Sequence, residues 1–373
     1  MPHVIDLFAG AGGLSLGAAR AGFKVAAAID KDSKAIGTHI KNFPATKHFN
    51  LDVSTLKGHH LLEAAKLKKK SLDGLIGGPP CQGFSNIGQR AAKDERNDLF
   101  AQFFRLVSET RPKFFLAENV PGIMNELYDP LRKEALSIIP KDYRVLSPIK
   151  VVASKYGAPT TRTRMFFIGY LPKFFPDLDE GTFTPAQDIT PVFVKHALSG
   201  LPVEIDPKWQ SEESGWQRAS APEAANFADR ISGRIPEGIG DPGALNRYIS
   251  KREVSGCMGT RHTEKVQSRY AALGPGEVDS ISKAMKLDEN GFCPTLRAGT
   301  DKDRGAYQAV RPVHHMKPRV ITPREGARLQ GFPDWFVFHK TKWHSFRQIG
   351  NSVSPIVSEY LLCKLHSGLI DGG

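Results

Sequence analysis

The chain reads as an α/β protein: a doubly wound, mostly parallel sheet with a smaller, loop- and strand-rich second domain. Three observations predict this. Short apolar runs at residues 3–8, 25–29, 73–76 and 114–117 each reach a glycine or an acid within two residues, as buried strands do on meeting their loops. Helix-period segments lie between them, one through Leu14, Leu16, Ala18 and Ala21, another through Leu99, Phe100, Phe103, Phe104, Leu106 and Val107. Beyond residue 171 prolines and glycines multiply and long periodic segments stop, so a second domain is expected from there.

A length of 373 residues suits two domains and a large core. No run approaches the ~18 apolar residues of a membrane span, and the amino terminus enters a strand with no basic region and apolar stretch before it, so a cytoplasmic protein is expected. The four cysteines (81, 257, 293, 363) contain no Cys-x-x-Cys pair, which suggests neither a disulfide framework nor a metal site. Net charge is +12, pointing to a polyanionic partner. Its distribution is uneven. Residues 1–170 carry 25 Lys and Arg against 15 Asp and Glu, whereas residues 171–245 carry 6 against 12. Residues 246–315 return to 12 against 8, so phosphate contacts should avoid the acidic segment and use the basic one after it.

In order, the first strand leads into Ala9-Gly10-Ala11-Gly12-Gly13-Leu14-Ser15, a glycine turn that lets a ligand approach backbone amides at a helix start. Ser15 stands where a dinucleotide fingerprint has its third glycine, and no Gly-Lys-Ser/Thr follows, which weakens dinucleotide and triphosphate readings. Asp30 ends the second strand, placed to accept both ribose hydroxyls of a nucleoside. Its structural alternative is a helix cap, which Asp32 fills better. Residues 51–53 end a third candidate strand. Residues 68–70, three lysines, read as a solvated charge run. Residues 145–152 and 165–169 are further strands, and between them Arg162 and Arg164 alternate onto one face of an extended segment. Thr322-Pro323-Arg324-Glu325 is a capping box opening a helix, and Ser354 caps a last helix begun by Pro355 and striped by Ile356, Val357, Tyr360 and Leu361. Cys363 then belongs to the core.

The stretch that organises the rest is Gly77-Gly78-Pro79-Pro80-Cys81-Gln82-Gly83-Phe84-Ser85. Two glycines and two prolines stop a buried strand and deliver Cys81 on a stiff loop at its carboxyl end, where open α/β sheets place their chemistry. A lone cysteine is more often a small buried apolar residue. Here its neighbours decide, because the segment resembles the nucleophile loop of the DNA (cytosine-5) methyltransferases. Further motifs resemble that family in its own order: the glycine turn, Glu118-Asn119-Val120, the Arg162/Arg164 pair, Thr295-Leu296, Arg328-Leu329-Gln330-Gly331-Phe332-Pro333, and Gln348-Ile349-Gly350-Asn351-Ser352-Val353. One departure is Thr161, where the family usually has Gln.

The resemblance implies a Rossmann-like S-adenosylmethionine-dependent fold. Residues 1–170 would form the catalytic and cofactor-binding domain, 171–338 the target-recognition domain, and 339–373 a segment returning to the first. It implies a cofactor site of Phe8, Ala9, Gly10, Gly12, Gly13, Leu14, Asp30, Lys31, Asp52, Val53, Pro80, Leu99, Asn351 and Val353, with S-adenosylhomocysteine as product and no metal. Cys81 would add to C6 of cytosine, a step that needs the thiolate. Glu118 would hold or share a proton at N3, Arg164 contact O2 or a phosphate, and Arg162 support Glu118 or the loop. The base must leave the stack, at a cost of a few kcal/mol. Gln82, Ser85, Thr295, Arg297, Arg304 and Gln308 would meet double-stranded DNA, and residues 307–311 look like a short strand. The kind is that of bacterial restriction–modification, monomeric on DNA and paired with a restriction endonuclease.

Three other readings compete. An RNA cytosine methyltransferase shares the fold, but the Cys-Phe-Thr triplet typical of the tRNA branch is absent from the sequence. A catalytically silent DNA-binding scaffold is opposed by the intact Cys81, Glu118, Arg162 and Arg164. A nicotinamide oxidoreductase is disfavoured by Ser15 and by the Pro-Pro-Cys-Gln loop.

Overall fold

Strand β1 (His3–Leu7) lies inside the main sheet, with Val4, Ile5, Asp6 and Leu7 all inaccessible to solvent. A computed structural model describes residues 1–68, 71–80, 98–233, 235–299 and 309–371. β2 (Lys24–Ile29), β3 (Lys47–Phe49), β4 (Gly74–Gly77) and β5 (Phe114–Asn119) join β1 in parallel. β6 (Arg144–Val145), β7 (Ile149–Val152) and β8 (Thr163–Tyr170) complete a mixed sheet of order β3-β2-β1-β4-β5-β8-β6, with β7 also on β8 and every β8 pairing antiparallel. The fold is Rossmann-like and mostly parallel, as expected.

The chain leaves β1 toward β2 and β3 on one side and reaches β4 and β5 on the other. This reversal opens a crevice at the carboxyl ends of β1 and β4, where residues 8–12 and 78–80 emerge. Helices α1 (Gly13–Arg20), α2 (Ser33–Asn42), α3 (Gly58–Ala64), α4 (Asp98–Thr110) and α5 (Asp129–Ser137) flank the sheet.

Two expected strands are placed differently. The third ends at Phe49, before residues 51–53, because Asp52 instead turns the chain by accepting the Ser54 amide. The run 145–152 breaks into β6 and β7: the Ser147 amide goes to Glu180, and Pro148 has no amide to give β8.

The later residues carry α6 (Val194–Leu198), α7 (Ala225–Ser232), α8 (Pro242–Lys251) and α9 (Glu264–Ala272), with two-residue strands β9 (Gln217–Arg218) and β10 (Glu253–Val254). Residues 309–311 are not a strand, and 307 and 308 lie outside the described residues. α10 (Pro323–Leu329) opens with the expected Thr322–Glu325 capping box. Around it, buried Arg324 donates to the carbonyls of Ser255, Pro333 and Phe336. α11 (Lys342–Asn351) leads to α12 (Pro355–Asp371), which packs on α1: Ser358 Oγ donates to the Gly13 carbonyl at 2.8 Å, and a Cβ on Gly17 would stand 2.1 Å from that hydroxyl. Ser354 precedes α12, yet its buried hydroxyl has no partner among the described residues, so it does not cap. Cys363 is half-buried against the core rather than within it. Among the described residues no helix is long and apolar enough to cross a membrane.

Candidate active site

After Leu7 the chain takes three left-handed conformations within five residues, Phe8 at φ 58°, Gly10 at 57° and Gly12 at 103°. Glycine accepts this freely, whereas Phe8 holds a strained conformation of the sort that clusters at functional sites. Asp30 pins the turn: one carboxylate oxygen accepts the Gly10 amide and the other the Asp32 amide, each at 2.8 Å. Burial raises the Asp30 pKa although both amides oppose it. Asp32 caps α2 through the Lys34 and Ala35 amides, so the helix cap falls to Asp32 as expected.

The turn is packed on one side and open on the other. A Cβ on Gly12 would lie 2.4 Å from the Phe43 ring, and one on Gly13 would lie 2.3 Å from the Val353 carbonyl. A Cβ on Gly10 would meet nothing within 4 Å. Open space over the turn, beside an acid with unused lone pairs, fits the ribose of a nucleoside cofactor. Ala9 and Leu14 are buried, Pro80 is half-buried, and Leu99 is buried at the start of α4. Val353 is buried whereas Asn351 is exposed. Lys31 and Asp52 are partnered with each other at 3.6 Å, and the Ser54 amide holds the Asp52 pKa low; Val53 beside them is buried. An open groove of about 690 Å³ between Ser54, His59, Leu62, Arg105 and Glu109 adjoins this corner and contains none of the predicted site residues.

Glu118 is the penultimate residue of β5, and its Oε1 receives Arg164 Nε from the antiparallel β8 at 2.5 Å. The loop leaving β4 crosses this pair closely, since a Cβ on Gly78 would stand 3.0 Å from Glu118 Oε2. Asn119 Nδ2 donates to the Pro79 carbonyl at 3.4 Å while its Oδ1 accepts the Val120 amide. The segment leading into residue 81 is therefore tied to the strand that carries Glu118. Cys81, Gln82, Ser85, Arg304 and Gln308 lie outside the described residues.

Arg162 is only 2% exposed. Its Nη1 donates to the Leu296 carbonyl at 3.3 Å, and its Nε and Nη2 have no partner among the described residues. Burial, with the charge of Arg164 adding to it, lowers its pKa well below the usual arginine range. Thr295 and Arg297 are exposed on either side of buried Leu296.

Sequence reasoning missed the residues beneath the glycine turn. Ser15 Oγ donates to Asp6, His39 Nε2 stands 3.0 Å from that hydroxyl, and His39 Nδ1 lies 2.9 Å from His48. Their one signal was an acid, Asp6, inside an otherwise apolar strand.

The model of the C-5 cytosine-specific DNA methylases matches residues 3–367. The Type II methyltransferase M.XorII of Xanthomonas oryzae pv. oryzae is 40% identical over 370 residues, covering 96% of this chain and 82% of the relative. M.DdeI of Desulfomicrobium norvegicum, also a Type II methyltransferase, is 30% identical over 96% of this chain and 87% of its own length. A solved structure of a candidate DNA modification methyltransferase encoded within an E. coli prophage is 51% identical, with a TM-score of 0.89 and full coverage of both chains. The S. pombe Dnmt2 methyltransferase, 18% identical with a TM-score of 0.64 over 99% of each chain, shares the fold. A family match spanning almost every residue, with Type II relatives along nearly the same length, makes this chain a member of the C-5 cytosine-specific DNA methylases.

Proposed function

We propose that the enzyme moves a methyl group from S-adenosylmethionine to C5 of a cytosine in a specific duplex sequence. The route is a transient bond between Cys81 and C6 of a flipped-out base, and the biological role is the modification half of a restriction–modification pair. The observation that supports this most directly is the Glu118–Arg164 pair lying under the loop that leads into Cys81.

When bound, S-adenosylmethionine supplies an electrophilic methyl on a sulfonium. Asp30 would accept the ribose hydroxyls with the lone pairs its two amide contacts leave free, and Asp52 and Val53 would rim the base. Cys81 adds to C6 as the thiolate, which makes C5 nucleophilic. Glu118 holds a proton at N3 so that charge does not accumulate on the ring, and Arg164 fixes that carboxyl in place. After transfer a base removes the C5 proton and Cys81 leaves. In this reading residues 1–170 and 339–373 carry the chemistry, while residues 171–338 read the duplex. Basic side chains after residue 245 supply the phosphate contacts that offset base flipping.

Bisulfite sequencing of plasmid DNA from cells producing the protein should show methylcytosine confined to one sequence context. Cys81→Ser should abolish it while duplex binding survives. A duplex carrying 5-fluorocytosine should become covalently joined to the peptide bearing Cys81. Methyl transfer that persists in Cys81→Ser would overturn the mechanism, and labelling of tRNA in place of DNA would overturn the substrate.

A further inference from the structure

A buried guanidinium with two nitrogens unsatisfied among the described residues is costly, and a fold that keeps one has a use for it. Arg162 is such a group. It does not serve merely to staple two segments, because the backbone already does so: the Thr161 amide donates to the Cys293 carbonyl at 3.0 Å and the Cys293 amide to the Pro159 carbonyl at 2.9 Å. What Arg162 adds lies three residues further on, at the Leu296 carbonyl. That carbonyl sits between the exposed side chains of Thr295 and Arg297.

The next carbonyl is held as well. Arg311 Nη1 donates to Arg297 O at 2.7 Å, with its guanidinium 4.3 Å from the centre of the Phe346 ring. α11 closes the third side, where a Cβ on Gly350 would stand 2.7 Å from both Arg297 C and Ala298 N. Consecutive carbonyls are thus gripped by two arginines, and Arg297 is presented on a fixed backbone. The other end of the grip is the reaction centre, since Arg162 lies two residues before Arg164, which holds Glu118 at 2.5 Å.

We propose that Arg162 is a positioning residue coupling sequence reading by residues 295–297 to the geometry of the Glu118–Arg164 pair, so that a wrong base lowers turnover and not only binding. The inference rests on the function proposed above. A base pair that displaces Arg297 pulls on the Leu296 carbonyl, and Arg162 passes the displacement to β8. Discrimination then appears in the rate of the chemical step on DNA that is already bound.

The test compares wild type with Arg162→Lys, which keeps the charge but loses the fork, and with Arg311→Met, which keeps apolar contact with Phe346 but releases Arg297 O. Single-turnover methylation is measured at saturating DNA and S-adenosylmethionine. One set of duplexes carries the sequence that wild type methylates most, and the other carries single base-pair changes. Wild type should separate the two by a rate ratio of roughly tenfold or more, within the usual range for one mismatched pair. In both variants the ratio should narrow severalfold while the KM ratio holds, and the bisulfite consensus should broaden at the same positions. A ratio that stays at the wild-type value while rates simply fall overturns the coupling. If Arg162→Lys does not fold, as judged by circular dichroism, Arg311→Met decides alone. A wild type that methylates no duplex overturns the underlying function, a result distinct from an unchanged ratio.

Discussion

Ser15 Oγ donates to Asp6 Oδ2 at 2.6 Å, wholly inside the protein and directly under the glycine turn. The other Asp6 oxygen has no partner among the described residues, and burial pushes the carboxyl up to about 7. Unfolded, the same group titrates near 4. Between those values the folded state holds a proton that the unfolded state has released, so this contribution to stability is complete below pH 4 and is lost as pH rises toward 7. The loss is on the order of a few kcal/mol. His39 and His48, whose pKa values burial depresses, act oppositely and weaken the fold as pH falls. The difference between Asp6→Asn and wild type at each pH isolates the carboxyl. By thermal melting, the variant should be the less stable protein at pH 5, where its amide replaces a neutral acid in an unsatisfied site, and the gap should close or reverse by pH 8. A gap independent of pH would show that Asp6 stays charged.

Asp30→Asn tests how the turn is pinned. Both Asp30 oxygens accept amides, so in either flip of an Asn side chain its NH2 faces the Gly10 or the Asp32 amide. One lost bond and one opposed donor should cost about 1–3 kcal/mol. Isothermal titration should find S-adenosylhomocysteine affinity weakened tenfold or more, with a lowered melting temperature. Unchanged affinity would remove Asp30 from the cofactor site.

The sheet was legible because buried parallel strands such as residues 25–29 and 114–117 announce themselves by apolar continuity. The turn was legible because Gly10 and Gly12 meet conformations that other residues resist. Tertiary partnership was not legible. Nothing local tells that Ser15 answers Asp6 from nine residues away, whereas the Asp52 turn onto the Ser54 amide and the break at Pro148 carry local signals that a reading by apolar continuity passes over. Arg162 reads as sharing one face of an extended segment with Arg164, and its neighbours in space, Leu296 above all, bury it. Periodicity assigns a side chain to a face of its own strand and cannot say what will cover that face.

Arg328 and Asp334 form a fully buried ion pair whose five guanidinium donors are shared among Asp334 and the carbonyls of Ala197, Ser199 and Ser220. Arg328→Met strands a buried carboxylate and three carbonyls, a change worth about 3–5 kcal/mol. The melting temperature should fall by roughly 5 °C, taking somewhat more than 1 °C per kcal/mol for a chain of this size. The rate per folded molecule should hold, because the pair touches neither Glu118 nor the glycine turn. Arg328→Met combined with Asp334→Leu should recover part of the loss, since no buried charge is then left unpaired. No recovery would locate the stabilisation in the carbonyl contacts instead.

Gly78→Ala separates chemistry from stability at one atom. The new Cβ would stand 3.0 Å from Glu118 Oε2, closer than most real contacts allow. The carboxylate is held on its other oxygen by Arg164 and cannot swing away without breaking that 2.5 Å contact. The backbone could move instead, but Asn119 ties the neighbouring Pro79 carbonyl to the same strand. Either adjustment shifts Glu118 relative to the loop carrying Cys81 by a few tenths of an ångström, and misplacements on that scale are expensive in catalysis. The global cost is small by comparison, because Gly78 has an ordinary negative φ and lies outside the regular strand. The single-turnover rate should therefore fall at least tenfold while the melting temperature moves by no more than about 2 °C, and S-adenosylhomocysteine binding should be unaltered. A normal rate would mean that the carboxylate has room to retreat, and that the loop and Glu118 are not the coupled unit their spacing implies.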